Sequence, residues 1–383
     1  MTPKTLVVTN DFPPRQGGIQ SFVHALVSAR PPGSVVVYAS SWPGAAAFDA
    51  CQPFPVIRHR SSLMLPVPSV SRRARDIVRE HGCDTVLFGA AAPLGLLAPG
   101  LRSAGVKRCV AVTHGHEAGW AMIPGARSLL RRIGDEVDVI TYLGDYFKAR
   151  LAAALSPAAA ARMVRLTPGV DVTEFRPGRR ADGMRERLGL TGRPVVVCVS
   201  RLVPRKGQDT LIRSWPKVTA RVPDAVLLLV GGGRYQPTLE RLAERLRVRS
   251  SVMFTGSVPW RDLPGYYGAG DVFAMPCRTR RRGLDVEGLG IVYLEAAASG
   301  LPVIAGDSGG APDAVLSGQT GYVVDGRSPD QLSTRVLELL TDADRAAAMG
   351  EKGRSWVLAE WRWELVAERL DAVLAGGHPS ASP

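Results

Sequence analysis

Short apolar runs alternate with amphipathic helical stretches along the whole chain, and this alternation constrains the fold most strongly. In the first half we predict strands at Leu6–Thr9, Val35–Ala39, Val86–Phe88, Cys109–Thr113, Val137–Thr141 and Met163–Leu166. In the second half we predict strands at Val195–Ser200, Val226–Val230, Val252–Thr255, Val272–Met275, Val303–Ala305 and Gly321–Val324. Helical periodicity lies between them, for example at Ile19–Arg30, Gln208–Arg221 and Pro237–Leu246. Strands that alternate with helices are typical of βαβ units, so we expect two doubly wound, Rossmann-like α/β domains that face a cleft.

The length of 383 residues also favours two domains, because one compact core rarely extends so far. A Pro-Gly-Val-Asp turn at Pro168–Asp171 predicts the boundary, which gives domains over residues 1–168 and 169–354. The run from 355 to 375 carries Trp356, Trp361 and Trp363 and predicts one final helix. We expect residues 376–383 to be disordered.

Composition describes an ordinary globular protein, with 45% hydrophobic and 22% charged residues. The uncharged run Thr85–Leu101 has 17 residues but contains Pro93 and Pro99, so no membrane-spanning helix is predicted. The five cysteines are scattered and form no C-x-x-C motif. They favour a reducing cytoplasm and no zinc site.

Net charge is +13, and most of the excess lies in the first half of the chain. Residues 1–168 carry 19 basic and 10 acidic side chains, whereas residues 169–383 carry 29 and 25. Such a basic surface favours an anionic partner, which could be nucleic acid, anionic lipid or a phosphorylated substrate. Alternatively, these arginines are ordinary solvated residues. Arg127, Arg131 and Arg132, beside Leu129, Leu130 and Ile133, predict a helix that lies at a membrane interface.

Glu287 and Glu295 mark the most informative segment for function. An Arg- and Gly-rich loop precedes Glu287, and Gly288 and Gly290 permit close approach of a ligand to the backbone. Residues 291–298 have helical composition, so Glu287 is expected before this helix and Glu295 on its second turn. The helix N-terminus offers N–H groups to sugar hydroxyls and phosphate oxygens. Two solvated acids at a loop–helix boundary are the alternative.

Basic and glycine residues follow the first strand of each domain. Gly17 and Gly18 precede a helix and could bring a phosphate or sugar to its start, although a tight turn explains them equally well. Arg201 and Lys206 could hold a departing diphosphate, and Arg205 reads as a solvated neighbour. Without a D-x-D motif, we expect these cations to replace a divalent metal.

His114 and His116 follow another strand of the first domain. Two histidines at this spacing could bind metal, but the sequence shows no third ligand nearby. Strand alternation would direct only one of them toward a ligand. Taken alone, each is better explained as a structural histidine.

Further segments complete an ordered set of motifs. They are Val8–Gln20, Thr113–Glu117, Phe175-Arg176-Pro177, Ser200–Gly207, Phe273–Arg280, Asp285–Ile291, Ser299–Val303 and Ser308–Asp313. Together with the E-x7-E pair, these resemble retaining glycosyltransferases of family four, which have the GT-B fold. Within that family the chain most resembles actinobacterial GDP-mannose-dependent phosphatidylinositol mannosyltransferases that add the second mannose.

The resemblance implies a role for each matching residue. Arg201 and Lys206 would hold the diphosphate, Glu295 the ribose and Glu287 the donor mannose. The backbone at Val258 would contact the base, and the backbone at Leu289 and Gly290 the sugar. Gly17 and Gly18 would lie where donor phosphate meets acceptor. His114 would lie beside the donor sugar and share the catalytic role with Glu287, and the final helix would return to the acceptor-binding N-terminal domain.

The activity implied is transfer of mannose from GDP-mannose to a phosphatidylinositol monomannoside, with retention of configuration and no cofactor or required metal. The expected partners are a nucleotide sugar, a glycolipid acceptor and an anionic membrane surface. We expect a cytoplasmic enzyme peripheral to the inner face of the plasma membrane. The sequence leaves the oligomeric state open.

Other functions remain compatible with parts of the sequence. The same fold could use another lipid acceptor, such as a glucuronosyl diacylglycerol, or a UDP-sugar donor. A non-catalytic nucleic-acid-binding protein would use the basic charge, but no recognised nucleic-acid module is present, and no nucleic-acid partner is expected. A non-enzymatic sugar-binding regulator would be expected to lack Glu287, Glu295 or Lys206, which are all present.

Overall fold

The computed structural model describes residues 3–178 and 181–377. The chain forms two compact units: unit 1 comprises Met1–Gly169 and Trp363–Pro383, and unit 2 comprises Val170–Arg362. Most of the predicted disordered tail, residues 378–383, lies outside the described residues.

Unit 1 contains a seven-stranded sheet in the order β3-β2-β1-β4-β5-β6-β7, and every neighbouring pair is parallel. Its strands are Thr5–Thr9 (β1), Val35–Ala39 (β2), Val56–Arg58 (β3), Thr85–Phe88 (β4), Arg108–Ala111 (β5), Val139–Tyr142 (β6) and Val164–Arg165 (β7). Its helices up to the boundary are Gly18–Ser28 (α1), Ala45–Asp49 (α2), Pro68–His81 (α3), Ala98–Arg102 (α4), Glu117–Trp120 (α5), Pro124–Glu136 (α6), Asp145–Ala152 (α7) and Pro157–Ala161 (α8).

Both faces of this sheet are covered, as the continuous apolar composition of its strands requires. Leu6 and Val8 of β1 belong to an apolar cluster that also contains Val70 of α3 and Leu130 of α6. The intervening Val7 belongs to a second cluster on the other face. Strand β3 was not predicted from the sequence, because this edge strand has only three residues, none of them fully buried.

Unit 2 contains a six-stranded parallel sheet in the order β10-β9-β8-β11-β12-β13. Its strands are Val195–Val199 (β8), Val226–Val230 (β9), Val252–Phe254 (β10), Val272–Met275 (β11), Val303–Gly306 (β12) and Gly321–Val324 (β13). Its helices are Ala181–Arg187 (α9), Gln208–Arg221 (α10), Gln236–Arg245 (α11), Leu263–Gly268 (α12), Ile291–Ala298 (α13), Pro329–Thr341 (α14) and Ala343–Glu360 (α15).

The predicted single helix over residues 355–375 is wrong. Helix α15 ends at Glu360, and a separate helix, Trp363–Ala375 (α16), follows. Between them Trp361 leaves the helical conformation, and its carbonyl accepts from the Val170 N–H at 2.7 Å. Trp361 is buried in unit 2, whereas α16 belongs to unit 1 and contributes Val366 and Leu370 to the second apolar cluster there.

Within residues 3–178 and 181–377, no helix combines the length and apolar character needed to cross a membrane. The fold is therefore two parallel-sheet α/β units, with a last helix that returns to unit 1.

Candidate active site

The strand order of unit 2 determines where its functional side chains meet. Strands β8 and β11 are neighbours, but the chain leads away from them toward opposite edges of the sheet. Such a point opens a crevice at the carboxyl ends of the strands, which is where parallel α/β sheets bind ligands. The segment from Ser200 to Gly207 follows β8 and the segment from Pro276 to Gly290 follows β11. Residues far apart in sequence therefore share this edge.

Glu287 lies at the centre of a buried ionic cluster at this edge. Its Oε2 lies 2.7 Å from the Lys206 Nζ and 2.6 Å from the Arg205 Nη1. The glutamate is only 6% exposed and Lys206 8%. Burial alone would raise the pKa of Glu287, but Lys206 and Arg205 together lower it below its ordinary value. Glu287 is thus an ionised carboxylate with both cations on one oxygen.

Arg205 is not the solvated neighbour that the sequence suggested. Its side chain is 18% exposed, and its Nε lies 3.3 Å from Asp285 while Nη1 contacts Glu287. The short 3-10 helix Pro204–Lys206 turns the two adjacent basic side chains toward the same carboxylate. Arg280 pairs with the other oxygen of Asp285 at 3.6 Å. The loop after β11 is therefore tied to the loop after β8 through charge.

Gly207 allows these two loops to approach each other. Its φ is +78°, and a Cβ there would lie 1.9 Å from the Pro276 carbonyl oxygen. Only glycine satisfies both the left-handed conformation and this contact. Any other residue would move Lys206 away from Glu287.

The prediction for the E-x7-E segment is confirmed as regards secondary structure. Helix α13 begins at Ile291, so Glu287 precedes it and Glu295 lies on its second turn. Gly290 has the left-handed conformation immediately before the helix, and Leu289 is buried in the core of unit 2. The Gly310 N–H donates to the Glu287 carbonyl at 3.1 Å, which fixes this segment from the loop after β12.

Glu295 has a very different environment from Glu287. It is 8% exposed, and its Oε2 accepts from the Tyr267 hydroxyl at 2.7 Å. Burial raises the pKa of Glu295 to about 7, and the Tyr267 bond only partly opposes that rise. In the described part of the chain, no basic side chain contributes to this shift. Glu295 therefore titrates near neutral pH.

Arg201 is exposed, and within residues 3–178 and 181–377 its guanidinium forms no hydrogen bond or ion pair. Its backbone is fixed, because the buried Gln208 donates from Nε2 to the Arg201 carbonyl at 3.0 Å and to Ser200 Oγ at 2.8 Å. The Leu202 N–H donates to the Gly232 carbonyl at 2.9 Å on the neighbouring loop. A fixed backbone with an uncommitted guanidinium suits an anion that arrives with the substrate.

Val258 follows β10 in a loop that contacts the same glycine run. It is half-buried against the core of unit 2. The Gly231 N–H donates to the Gly256 carbonyl at 3.0 Å, which holds the loop after β10 beside the loop after β9. The predicted base-contacting segment therefore borders the loop that lies against Ser200 and Leu202.

In unit 1, the glycine pair stands at the start of α1. Gly17 directly precedes the helix, and Gly18 is its first residue, with open space where a side chain would project. Gln20 folds back beside Gly17 and donates from Nε2 to Asp11 at 2.6 Å. The backbone at Gly18 is thus accessible at a helix N-terminus.

His114 and His116 differ in burial, although their rings stack at 6.2 Å. The Nε2 of His114 lies 2.5 Å from the Gly89 carbonyl, so this nitrogen carries the proton and Nδ1 is left as an acceptor. Burial lowers the pKa of His114, which favours the neutral ring. The buried Glu117 accepts from the His114 backbone N–H at 2.9 Å. His116 is exposed and lies 3.4 Å from the Glu117 Oε1.

Helix α6 carries Arg127, Arg131 and Arg132 on its exposed surface. The prediction that Leu130 and Ile133 join them at an interface is wrong, because both are 0% exposed and pack in the core. The exposed apolar residues here are Leu129, together with Met122 and Ile123 before the helix. The Arg127 guanidinium donates to the Ala153 carbonyl.

Two contacts of the site could not be read from the sequence. Tyr267 lies 28 positions before Glu295 and has no motif around it. Asp285 stands in a recognised motif, but nothing local indicates its contact with Arg205. In the described ranges, no group of three or more His, Cys, Asp or Glu side chains could hold a metal ion.

Comparison with known proteins identifies the family of the chain. Residues 16–174 match the family described as Glycosyltransferase Family 4, and residues 182–356 match Glycosyl transferases group 1. The chain is 54% identical over 376 residues to the GDP-mannose-dependent alpha-(1-6)-phosphatidylinositol monomannoside mannosyltransferase of Mycolicibacterium smegmatis, covering 97% of this chain and 98% of that protein. It is 50% identical to the GDP-mannose-dependent monoacylated alpha-(1-6)-phosphatidylinositol monomannoside mannosyltransferase of Corynebacterium glutamicum, covering 97% of each chain.

Solved structures support the fold. Anabaena Alr3699/HepE in complex with UDP is similar with a TM-score of 0.81, covering 97% of this chain and 99% of that one at 18% identity. Sucrose-phosphate synthase from Thermosynechococcus elongatus gives a TM-score of 0.77 at 21% identity, covering 96% of this chain and 97% of that one. The chain therefore belongs to glycosyltransferase family four, in the group that contains the GDP-mannose-dependent phosphatidylinositol monomannoside mannosyltransferases.

Proposed function

We propose that this protein transfers an α-mannosyl group from GDP-mannose to a phosphatidylinositol monomannoside, with retention of configuration. The observation that carries the proposal is the buried cluster of Glu287, Lys206 and Arg205 at the carboxyl edge of the unit 2 sheet. It occurs in a chain 54% identical, over 97% of its length, to an enzyme with that activity.

Charge in the cluster suits a sugar nucleotide. At this edge Arg201, Arg205, Lys206 and Arg280 supply four cations, and Glu287 and Asp285 supply two carboxylates, so a positive excess remains for a diphosphate. Arg201 and Lys206 would hold the phosphates as charge builds on the leaving oxygen. Because both cations bind Oε2 of Glu287, its other oxygen can accept a hydroxyl of the mannose.

We assign the remaining contacts with the donor to the residues that the family resemblance implies. Glu295 would hold the ribose, the backbone at Val258 the base, and the backbone at Leu289 and Gly290 the sugar. The roles of His114, Gly17 and Gly18 beside the donor sugar and phosphate remain predictions. A neutral His114 with Nδ1 as acceptor would orient a sugar hydroxyl rather than supply a proton.

In this mechanism the bond from the anomeric carbon to the phosphate oxygen breaks as the acceptor hydroxyl attacks the same face. The departing phosphate oxygen takes the hydroxyl proton, so no separate protein base is needed. Electrostatic support of the leaving group then supplies most of the rate enhancement. We expect full activity in EDTA, since Arg201, Lys206 and the α13 N-terminus provide the positive charge.

The test is a transfer assay with purified protein, radiolabelled GDP-mannose and defined lipid acceptors. We expect labelled dimannoside from phosphatidylinositol monomannoside, and little product from UDP-sugars or from a glucuronosyl diacylglycerol. Preferred use of a UDP-sugar or of the diacylglycerol acceptor would replace our assignment. Loss of activity in EDTA that magnesium restores would show that a metal is required.

A lipid acceptor requires the enzyme to dock at a membrane, and we propose that unit 1 binds the anionic inner face of the plasma membrane from the cytoplasm. Helix α6 offers Arg131 and Arg132 beside exposed Leu129. A second candidate is the segment of Leu63, Leu65 and Val67, which are 57%, 48% and 40% exposed and precede the basic helix α3.

Replacing Arg127, Arg131 and Arg132 with Gln tests the α6 surface. At about 1 kcal/mol per basic residue near an anionic surface, binding to phosphatidylinositol vesicles should fall by about two orders of magnitude. GDP-mannose affinity should stay unchanged. The matched variant replaces Arg72, Arg73 and Arg75 on α3. If only this second variant loses vesicle binding, the docking surface is α3 and not α6.

A further inference from the structure

The phenol of Tyr267 is a buried group with a fixed orientation. It lies on α12, is 0% exposed, and packs its ring against Phe175 at 5.6 Å and Phe273 at 5.8 Å. Its hydroxyl donates to the Glu295 Oε2 at 2.7 Å. Because aromatic neighbours fix the ring, the hydroxyl holds the carboxylate in one position rather than following it.

This bond divides the two oxygens of Glu295 between protein and ligand. Oε2 is occupied by Tyr267, and within the described chain Oε1 accepts no hydrogen bond. Because Glu295 is only 8% exposed, a ligand hydroxyl that donates to Oε1 makes a charge-assisted hydrogen bond in a largely desolvated environment, where it is stronger than in water. The arrangement therefore prepares Oε1 for an incoming donor.

We propose that Tyr267 is a positioning residue for nucleotide recognition: it holds Oε2 of Glu295 so that Oε1 meets a ribose hydroxyl, and thereby makes the site select ribonucleotide over deoxyribonucleotide donors. The inference rests on the proposed function, in which Glu295 holds the donor ribose. Beyond that function, we assign to Tyr267 the selectivity of this contact for ribonucleotides.

Ionisation gives a second consequence of the same contact. A neutral carboxyl group accepts ribose hydroxyls less well, so donor binding strengthens as pH rises through the Glu295 pKa of about 7. Tyr267 is the ionisable group that faces this carboxylate. Cys198 on β8 contributes in turn to the raised pKa of the Tyr267 phenol. Removing the phenol hydroxyl removes a bond that lowers the Glu295 pKa, so the midpoint should move to higher pH.

The experiment measures equilibrium binding of GDP-mannose and of its analogues without the 2′- or the 3′-hydroxyl, between pH 6 and 8, with no acceptor present. The phosphates of this diester do not titrate in that range. Tyr267→Phe is compared with Tyr322→Phe, a matched control. Tyr322 lies on β13, and its hydroxyl donates to Glu338 at 2.5 Å; neither residue belongs to the proposed site.

For the wild-type protein we expect at least one deoxy analogue to bind about tenfold or more weakly than GDP-mannose, because one hydrogen bond to a charged group is lost. GDP-mannose itself should bind about tenfold more weakly at pH 6 than at pH 8. In Tyr267→Phe the preference for the ribonucleotide should fall to within about threefold at pH 7, and the pH midpoint should rise. Tyr322→Phe should match the wild type in both.

A purely structural role for Tyr267 would weaken all ligands alike and leave the ribose preference and pH midpoint unchanged, which would overturn the proposal. Glu295→Gln provides a second check, since it keeps the shape but does not titrate. Its binding should be independent of pH, and persistent pH dependence would assign the titration to another group. Failure of the wild-type protein to bind GDP-mannose at all would instead overturn the proposed function together with this inference.

Discussion

Glu287 and Glu295 belong to one motif and are almost equally buried, yet their surroundings are opposite. Glu287 shares one oxygen with Lys206 and Arg205, and its pKa is lowered despite burial. Glu295 meets one phenol and no cation that shifts its pKa, which burial raises to about 7. Two glutamates of the same motif can therefore differ in their protonation state. Glu287 is ionised at neutral pH, whereas Glu295 changes its protonation state near pH 7.

The largest effect should come from removing the cation that separates the two environments. In Lys206→Ala, Glu287 keeps only Arg205, and the leaving group loses a buried donor. We expect transfer to fall by about a hundredfold or more, as for other donors to a developing negative charge. Lys217→Ala is the matched control, because Lys217 is 62% exposed and pairs with Asp330 on the surface. Equal activity of the two variants would remove Lys206 from the site.

A second test uses stability to separate the glutamates. The folded-state pKa of Glu295 is about 7, above its ordinary value, so the folded protein loses stability as pH rises from 5 to 8. Relative to Glu295→Gln, we expect the wild-type protein to lose about 2.5 kcal/mol of unfolding free energy across that range. Denaturant titrations at both pH values measure the difference.

Glu287 should show the opposite dependence. Its folded-state pKa is lowered, so its stabilising contribution is present above its ordinary pKa and is lost as pH falls through the lowered value. Glu287→Gln should therefore be less stable than the wild type at pH 7, with a smaller difference in acid. Parallel pH curves for the two Gln variants would show that the environments are not distinct.

The third test compares the same two substitutions in catalysis. Glu287→Gln should lower kcat by about thirtyfold, if this carboxylate contacts the mannose as the bond breaks. Glu295→Gln should raise the KM for GDP-mannose by about tenfold and change kcat less, because ribose contacts are made equally before and during reaction. The reverse pattern in steady-state kinetics would exchange their roles.

The smallest effect should follow Arg205→Lys. Lysine keeps the charge, but it cannot span Asp285 and Glu287 at once, as the guanidinium does. We expect a loss of about tenfold in kcat/KM, between the wild type and Lys206→Ala. Activity equal to wild type would mean that charge alone, and not the bridge between the two loops, sustains the site.

Sequence periodicity was sufficient for the architecture, since long apolar strands and amphipathic helices leave few alternatives to parallel sheets. It predicted α10 and α13 at their observed bounds. It failed at β3, where three half-buried residues form an edge, and at Trp361, where a backbone bond to Val170 interrupts a helical pattern. Both features depend on partners distant in sequence.

The residues of the candidate site divide in the same way. Motifs predicted Lys206, Glu287 and Glu295, because such residues are concentrated at loop–helix boundaries. Arg205 was misread, since a solvated and a buried arginine look alike in sequence. Tyr267 was missed, because its hydrogen bond to Glu295 joins residues 28 positions apart and forms only in the folded unit 2. A tertiary contact made by a single side chain produces no periodic pattern in the sequence from which it could be predicted.

The separate helix α16 makes unit 1 a discontinuous domain. Its Val366, Leu370, Val373 and Leu374 are almost fully buried against the face of the sheet that also packs Val7 and Phe22. At about 1.5–3 kcal/mol for each buried aliphatic side chain, these contacts are comparable to the whole stability of a typical domain. During vectorial synthesis the part of that face which α16 covers stays exposed until all of unit 2 has left the ribosome. Unit 2 can therefore fold first. Unit 1 cannot complete its core until α16 has been synthesised, and until then it exposes an apolar surface to which chaperones can bind.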